Sequence, residues 1–272
     1  MGTPIINNKF FESMNLQLSS RLTYALDLLK ELIARDIKVT YKHSILGFAW
    51  SLLNPLLYLL VFYFIFRMIM SIDIPRYSSY VFCGLLIYTW FQISLFQAAV
   101  TITGNAELVR RPGFPVAILP IVTVLTNLIH FILSLPVLGL FLVIEKSDIG
   151  ITIFTLPLLI LIQFVLTLGL AYLVASVNVI FRDTQHLLSV ILQLFLFLSP
   201  IFYDVKRIPE RFLTYYKLNP LVPLIDAYRS VLIEGIQPDW MALSFTCTMA
   251  VFFLIVGYKI FVWLKYRFVE EL

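Results

Sequence analysis

Residues 35–66 read RDIKVTYKHSILGFAWSLLNPLLYLLVFYFIF. The first eight carry four charges, on Arg35, Asp36, Lys38 and Lys42, and from Ser44 to Phe66 there are none. An uncharged apolar run of about 20 residues is what a helix needs to cross the hydrocarbon core of a bilayer. Within a few residues the chain passes from water into lipid, and this junction decides the fold class.

The whole chain agrees. Of 272 residues, 60% are hydrophobic and 13% charged, with a mean hydropathy of +0.92. A soluble domain is about 45–50% apolar and about 25% charged. Barrel strands would alternate over roughly 10 residues, whereas the runs here are continuous and longer. The expected fold is an all-α integral membrane protein with six spans: about 45–66, ending at Arg67; within 77–106; within 112–144; within 149–181; a shorter run, 187–203; and about 240–260. Runs longer than one crossing call for tilt or breaks. Asn54-Pro55, Pro120, Pro136, Pro157 and Ser199-Pro200 are the expected break points. The organisation is then a cytoplasmic N-terminus (1–43), a membrane domain (44–264) with an outer segment (204–239), and a cytoplasmic tail (265–272).

Six spans place both termini on one side. That side would hold Lys9, Arg21, Lys30, Arg35, Lys38, Lys42, Arg110, Arg111, Arg182, Lys259, Lys265 and Arg267; the other would hold Arg76, Lys146 and the basic residues of 204–239. The positive-inside rule makes the first side cytoplasmic. Residues 1–21 are polar, so no signal peptide is expected.

Leu22, Leu26, Leu29, Ile33 and Ile37 recur at steps of three and four, and Glu31 precedes Arg35 by four. This predicts an amphipathic helix along the cytoplasmic interface. In the outer segment, Pro223–Glu234 reads as a helix stopped by Gly235. The segment is expected to be re-entrant or interfacial, a lid with Tyr203, Tyr215, Tyr228 and Arg229 as candidates for an outer gate.

Several chemistries are missing. There is no G-x-x-x-x-G-K-[ST] loop to hold ATP and no Cys/His spacing for a metal. Cys83 and Cys247 lie in apolar runs and read as buried small hydrophobes. His43 and His186 sit at membrane edges. His130 is the ionisable residue in the middle of a span, and such a group is a functional candidate. The net charge of +4 comes with no basic patch outside short loops, so nucleic acid is not an expected partner. With neither a proton relay nor a nucleotide site, a transporter of this kind must draw energy from another subunit. The spans are rich in aromatics (Phe 24, Tyr 14, Trp 4), which offer sugar rings a flat apolar surface with polar handles. Trp50, Tyr58, Phe62, Phe66, Tyr88, Trp90, Phe195 and Phe202 are the candidates for a channel lining.

The opening stretch resembles the entry signature of ABC-2 type permeases that export polysaccharides: O-antigen, teichoic-acid and capsule exporters. NAELVRRPGFPVAILP (105–120), VNVIFRDTQHLLSVILQLFLFLSPIFY (177–203) and LNPLVPLIDAYRSVLIEG (218–235) are similar to that family's later segments, in the same order. The resemblance implies a homodimer working with two copies of a separate ABC ATPase, which would hold ATP and magnesium; this chain would be no enzyme and hold no cofactor. The cargo would be a glycan on a polyprenyl diphosphate. Arg35, Asp36 and Lys38, with Glu107, Leu108, Arg110, Arg111 and Phe114, would contact the ATPase. Arg35, Lys38 and Lys42 would attract the diphosphate. One departure stands out: where many relatives carry a charged pair after Phe-Pro, this chain has Val116-Ala117. The competing readings are an ABC-2 exporter of a small hydrophobic compound and a membrane enzyme on polyprenyl-linked sugars, for which Asp183 and His186 are the suggestive cluster.

Overall fold

The computed structural model describes residues 7–42, 49–69, 74–148, 150–205 and 208–272, the side chains of 7–22, Ser51, Glu210, Thr214 and Tyr215 excepted. The described residues are helical with no strand. Two compact units divide the chain, Met1–Ser44 and Ile45–Leu272.

The first unit is built on α1, Asn7–Tyr41, a helix longer than the predicted 21–38. Arg35, Lys38 and Lys42, at steps of three and four, share one of its faces, and Arg35 pairs with the adjacent Asp36 at 3.0 Å. His43 lies outside the described residues.

The second unit runs α2 (Ala49–Phe62), α3 (Tyr77–Thr101), α4 (Ala106–Val109), α5 (Ile118–Ile144), α6 (Leu156–Ile180), α7 (Thr184–Leu198), α8 (Glu210–Lys217), α9 (Leu221–Arg229) and α10 (Trp240–Glu271). Among the described residues, five helical stretches are long and apolar enough to cross a membrane: Leu52–Ile69, Tyr77–Thr101, Ile118–Ile144, Ile151–Ile180 and Trp240–Glu271. α7, the predicted fifth span, has 15 residues. At 1.5 Å per residue it reaches only about 22 Å, short of a core about 30 Å thick.

Position in the bundle follows polarity and side-chain size. α3 is central; Val81, Phe82, Ala98 and Ala99 are wholly enclosed. α5 and α6 pack against it, and α10 packs against α6. Gly169 and Gly257 let α6 and α10 touch backbone to backbone: a Cβ at Gly169 would lie 2.5 Å from the carbonyl carbon of Phe253. Small residues that permit such approach are the usual adhesive between spans. Several polar side chains inside the bundle find partners there, since lipid offers none. Gln163 Nε2 donates to the Ile87 carbonyl at 2.9 Å, and Asn127 Nδ2 to Gln97 Oε1 at 2.8 Å. α2 is peripheral, with Leu57, Leu60, Val61 and Phe64 exposed. Pro55 lies inside it, and beyond Phe62 the helix widens to i→i+5 hydrogen bonding over Tyr63–Ile69, a form that backbone adopts only in short pieces.

The segment 204–239 packs into the bundle through α9. α9 packs on α3, α6 and α10. Leu221, Ile225, Tyr228 and Val231 are fully enclosed, too buried for a helix lying on an interface. It continues as a wider helix over Ser230–Glu234 and stops at Gly235, whose φ of 69° only glycine adopts without cost.

The segment 265–272 continues α10, where Phe268 is enclosed and its ring meets that of Phe261 at 5.3 Å. One expectation needs correction. Of the two cysteines only Cys83 is buried, while Cys247 lies on the exposed side of α10.

Candidate functional site

At one end of the bundle the chain between α3 and α5 makes a short platform. Asn105 Nδ2 donates back to the Thr101 carbonyl at 2.8 Å, ending α3. α4 follows and packs against α10, with Val109 buried. Gly113, at φ 81°, then turns the chain into α5. Glu107, Arg110 and Arg111 are exposed on this platform; Leu108 and Phe114 are half-buried. One apolar anchor thus presents charges of both signs to solvent, an arrangement suited to specifying a partner. At the Val116-Ala117 departure the backbone carbonyl of Ala117 accepts from Tyr172 Oη of α6 at 2.9 Å, a bond that any residue there would make. Arg35, Asp36 and Lys38 belong to the other unit, where Glu31, Arg35, Lys38, Val39 and Lys42 border a shallow recess on α1.

At the end where α9 enters, Arg229 is 3% exposed. Its Nε and one terminal nitrogen donate to the Tyr80 carbonyl at 3.3 and 3.2 Å, and the same terminal nitrogen donates to the Ile201 carbonyl at 3.1 Å. Its other terminal nitrogen lies 3.8 Å from Asp226. Tyr228 is wholly buried, edge-on to Phe131. Both are candidates for an outer gate, and in this structure both side chains are enclosed and anchor α9 in the bundle. Tyr203 is half-exposed. It donates to the Phe197 carbonyl at 2.7 Å and accepts from Tyr216 at 3.1 Å. Burial pushes both phenols above their usual pKa; the shared hydrogen bond raises the donor Tyr216 further and lowers the acceptor Tyr203. The side chain of Tyr215 lies outside the described residues.

Nearby, Arg76 donates to the Ile233 carbonyl at 2.7 Å and pairs with Asp148 at 2.8 Å. The Glu145 carboxylate accepts from the backbone N–H groups of Ser78 and Ser79 at 3.1 and 2.9 Å. It caps the start of α3 from another element and meets the positive end of the helix. Sequence reasoning passed over Arg76, Glu145 and Asp148; the signal was charge placed hard against span ends. In the sequence Arg76 is simply a loop cation.

The aromatic candidates separate into two sets. On α2, Trp50 and Tyr58 are exposed, and Tyr58, Phe62 and Phe66 follow one another at ring distances of 6.1 and 5.8 Å. Phe202 is stacked beneath Phe62 at 3.7 Å and is itself enclosed. Phe195 is half-buried on α7. Tyr88 and Trp90 are 1% and 2% exposed. Their polar atoms are committed within the chain, Tyr88 Oη to the Leu192 carbonyl and Trp90 Nε1 to that of Val124 at 3.3 Å. Within this chain they are core residues. His130 is half-buried on α5. Asp183 and His186 are exposed at the start of α7, and no group of three potential metal ligands occurs among the described residues.

The ABC-2 type transporter family matches residues 27–233. The O-antigen export system permease protein RfbA of Klebsiella pneumoniae is 31% identical over 260 residues, 95% of this chain and all of that protein. The protein of the same name from Myxococcus xanthus is 34% identical over 247 residues, 90% of this chain and 95% of its own. The polysialic acid transport protein KpsM of Escherichia coli is 25% identical over 234 residues, 85% and 90% of the two chains. With a helical membrane bundle whose charged platform lies between its second and third long apolar helices, and a family match over most of its length, the chain belongs to the ABC-2 type transporter membrane proteins.

Proposed function

We propose that this chain is the membrane subunit of an exporter of a lipid-linked polysaccharide. ATP is hydrolysed on a separate ABC ATPase that holds the nucleotide and magnesium. Two copies of the chain work with two of the ATPase, and the glycan, carried on a polyprenyl diphosphate, passes between them. The observation that carries this reading is near-full-length similarity to O-antigen permeases. Six crossings, α7 being the short one, put both termini in the cytoplasm of a bacterial inner membrane, so the α4 platform faces the ATPase there. Glu107, Leu108, Arg110, Arg111 and Phe114, with Arg35, Asp36 and Lys38 of α1, receive it. Arg35, Lys38 and Lys42 attract the diphosphate. Trp50, Tyr58 and Phe62 of α2, and Phe66 of the wider turns that follow it, with Phe195 of α7, offer sugar rings a stacking surface.

The test is purification of the tagged full chain in detergent from its native host. Co-elution of a P-loop subunit in equal amount, with ATPase activity, is expected. A chain that elutes alone and inactive overturns the reading. Loss of the chain in vivo is expected to strand lipid-linked glycan on the cytoplasmic side.

A further inference from the structure

α2, α3 and α7 contain no Asp, Glu, Lys or Arg. They do carry side-chain carboxamides, and these gather toward one side of the bundle. Along α7, Gln185, Ser189, Gln193 and Phe197 recur at steps of four and form a stripe on one flank. Gln193 is exposed and Gln185 half-buried. Ile191 and Leu198 lie on the other flank, bordering a half-open apolar hollow of about 740 Å³ with Leu170 and Val174 of α6.

The stripe looks toward α2. Phe197 lies 6.3 Å from Phe202 by ring centroids, and Phe202 stacks on Phe62 of α2. Asn54 and Tyr58, both exposed, precede Phe62 at steps of four. Both helices pack on α3. On α3, Tyr88 donates to the Leu192 carbonyl of α7, and Trp90 to the Val124 carbonyl of α5. At about 100° per residue, the arc of α3 between those two directions carries Gln92, Phe96 and Gln97. Gln92 is half-buried, and Phe96 and Gln97 are exposed. The result is an open cleft with α3 as its floor and α2 and the stripe of α7 as its sides.

Depth makes this placement informative. Tyr88 stands midway along α3, so Gln193, next to Leu192, lies near the middle of the bundle. Lipid offers a carboxamide no hydrogen bond there. Ser189 satisfies its hydroxyl locally, on the His186 carbonyl at 2.7 Å. Gln97 accepts from Asn127 through Oε1 and keeps its own N–H groups to spend. Among the described residues, no hydrogen bond takes up the carboxamides of Asn54, Gln92, Gln185 or Gln193. Polar side chains set at such depth face water or a hydrated ligand. Each carboxamide offers two donors and an acceptor without charge, the set that pairs with sugar hydroxyls. Tyr58, Phe96 and Phe197 stand beside them with flat apolar faces.

We propose that Asn54, Gln92, Gln97, Gln185 and Gln193 form a hydrogen-bonding track for the hydroxyls of an uncharged stretch of glycan. The assignment rests on the export reading and names the part of the cargo that the cleft recognises: the sugar, rather than the lipid or its diphosphate.

The test uses the full chain with Cys247→Ser in the membranes of its native host, leaving Cys83, which is buried. Single cysteines replace Gln97, Gln193, Leu194 of α7 and Phe252 of α10, all four exposed. A charged, membrane-impermeant methanethiosulfonate reacts with the thiolate, a form that needs water around it. Labelling is expected in Gln97→Cys and Gln193→Cys and in neither of the other two. Gln97→Leu with Gln193→Leu is expected to cut export about tenfold, the effect of losing two neutral hydrogen bonds. The P-loop subunit should still co-elute and the thermal midpoint should hold, whereas a merely structural role would lower the midpoint. Gln193→Asn, which keeps the carboxamide, should export more than Gln193→Leu. Labelling no faster at the two glutamine positions than at Leu194 and Phe252, or full export by the double variant, overturns the assignment. Failure of the export reading shows differently: the unaltered chain itself then elutes without a P-loop subunit.

Discussion

The guanidinium of Arg229 lies over the ring of Tyr80, 3.4 Å from its centroid, while donating to the carbonyl of that same residue. One side chain of α9 therefore holds both the ring and the backbone of the first turn of α3. Arg229→Ala would leave the Tyr80 and Ile201 carbonyls without this donor and open a void. The expected loss is about 3 kcal/mol, read as a lowered thermal midpoint of the purified protein. Arg229→Lys should recover less than half of it, because a point charge cannot replace the planar fork. An unaltered midpoint for the alanine variant would mean that the clamp carries no stability.

The contact between α6 and α10 makes a second forecast with its own control. At Gly257 an added Cβ would overlap the Gly169 carbonyl, whereas at Gly139 of α5 nothing lies within 4 Å. Gly257→Ala is expected to destabilise by about 3 kcal/mol, at the upper end for overpacking. Gly139→Ala should be neutral or slightly stabilising. Equal midpoints for the two would refute the backbone contact.

Glu145 should matter through the helix it caps. Removing the carboxylate in Glu145→Ala frees the Ser78 and Ser79 N–H groups, at a cost of about 1 kcal/mol. Asp148 is 74% exposed at its side chain. Its pair with Arg76 should therefore be worth less than about 0.5 kcal/mol. Hydrogen exchange at the start of α3 would rise in the first variant and hardly change in Asp148→Ala.

On the platform, Glu107→Ala with Arg110→Ala changes two exposed residues. The thermal midpoint should move little. Binding of the ATPase subunit should fall by tenfold or more, equal to about 1.4 kcal/mol, as measured by co-elution. Val109→Asp should do the opposite in order of cause, lowering the midpoint first, because it places a carboxylate at a buried anchor. If the double variant keeps its partner, coupling lies elsewhere.

The parts of this fold written in local periodicity were legible before any coordinates. Uncharged runs locate the long helices, and Gly235 announces the end of α9. The platform was legible because Glu107, Arg110 and Arg111 interrupt an otherwise uncharged stretch. What was not legible depends on neighbours distant in sequence. Tyr88 and Trp90 carry the same chemistry as Tyr58 and Trp50, and only packing against α5 and α7 encloses them. Arg229 follows the same logic: at a helix end in an outer segment a cation reads as exposed, and the carbonyls that bury it come from Tyr80 and Ile201. Shortness was visible in α7, but the hollow beside it was not, because a void is a property of the elements around it.

Helices that meet through glycine have no cushion of side chains between them to shear. Gly169 and Gly257 make α6 and α10 a single stiff beam, and sliding one past the other would break the contact outright rather than deform it. A machine built on this bundle must take its stroke from members set against softer neighbours. α2, with its widened turns and bare apolar flank, and α7, beside its hollow, are those members. A cross-link tying α6 to α10 should therefore leave transport running, and one tying α2 to α7 should stall it.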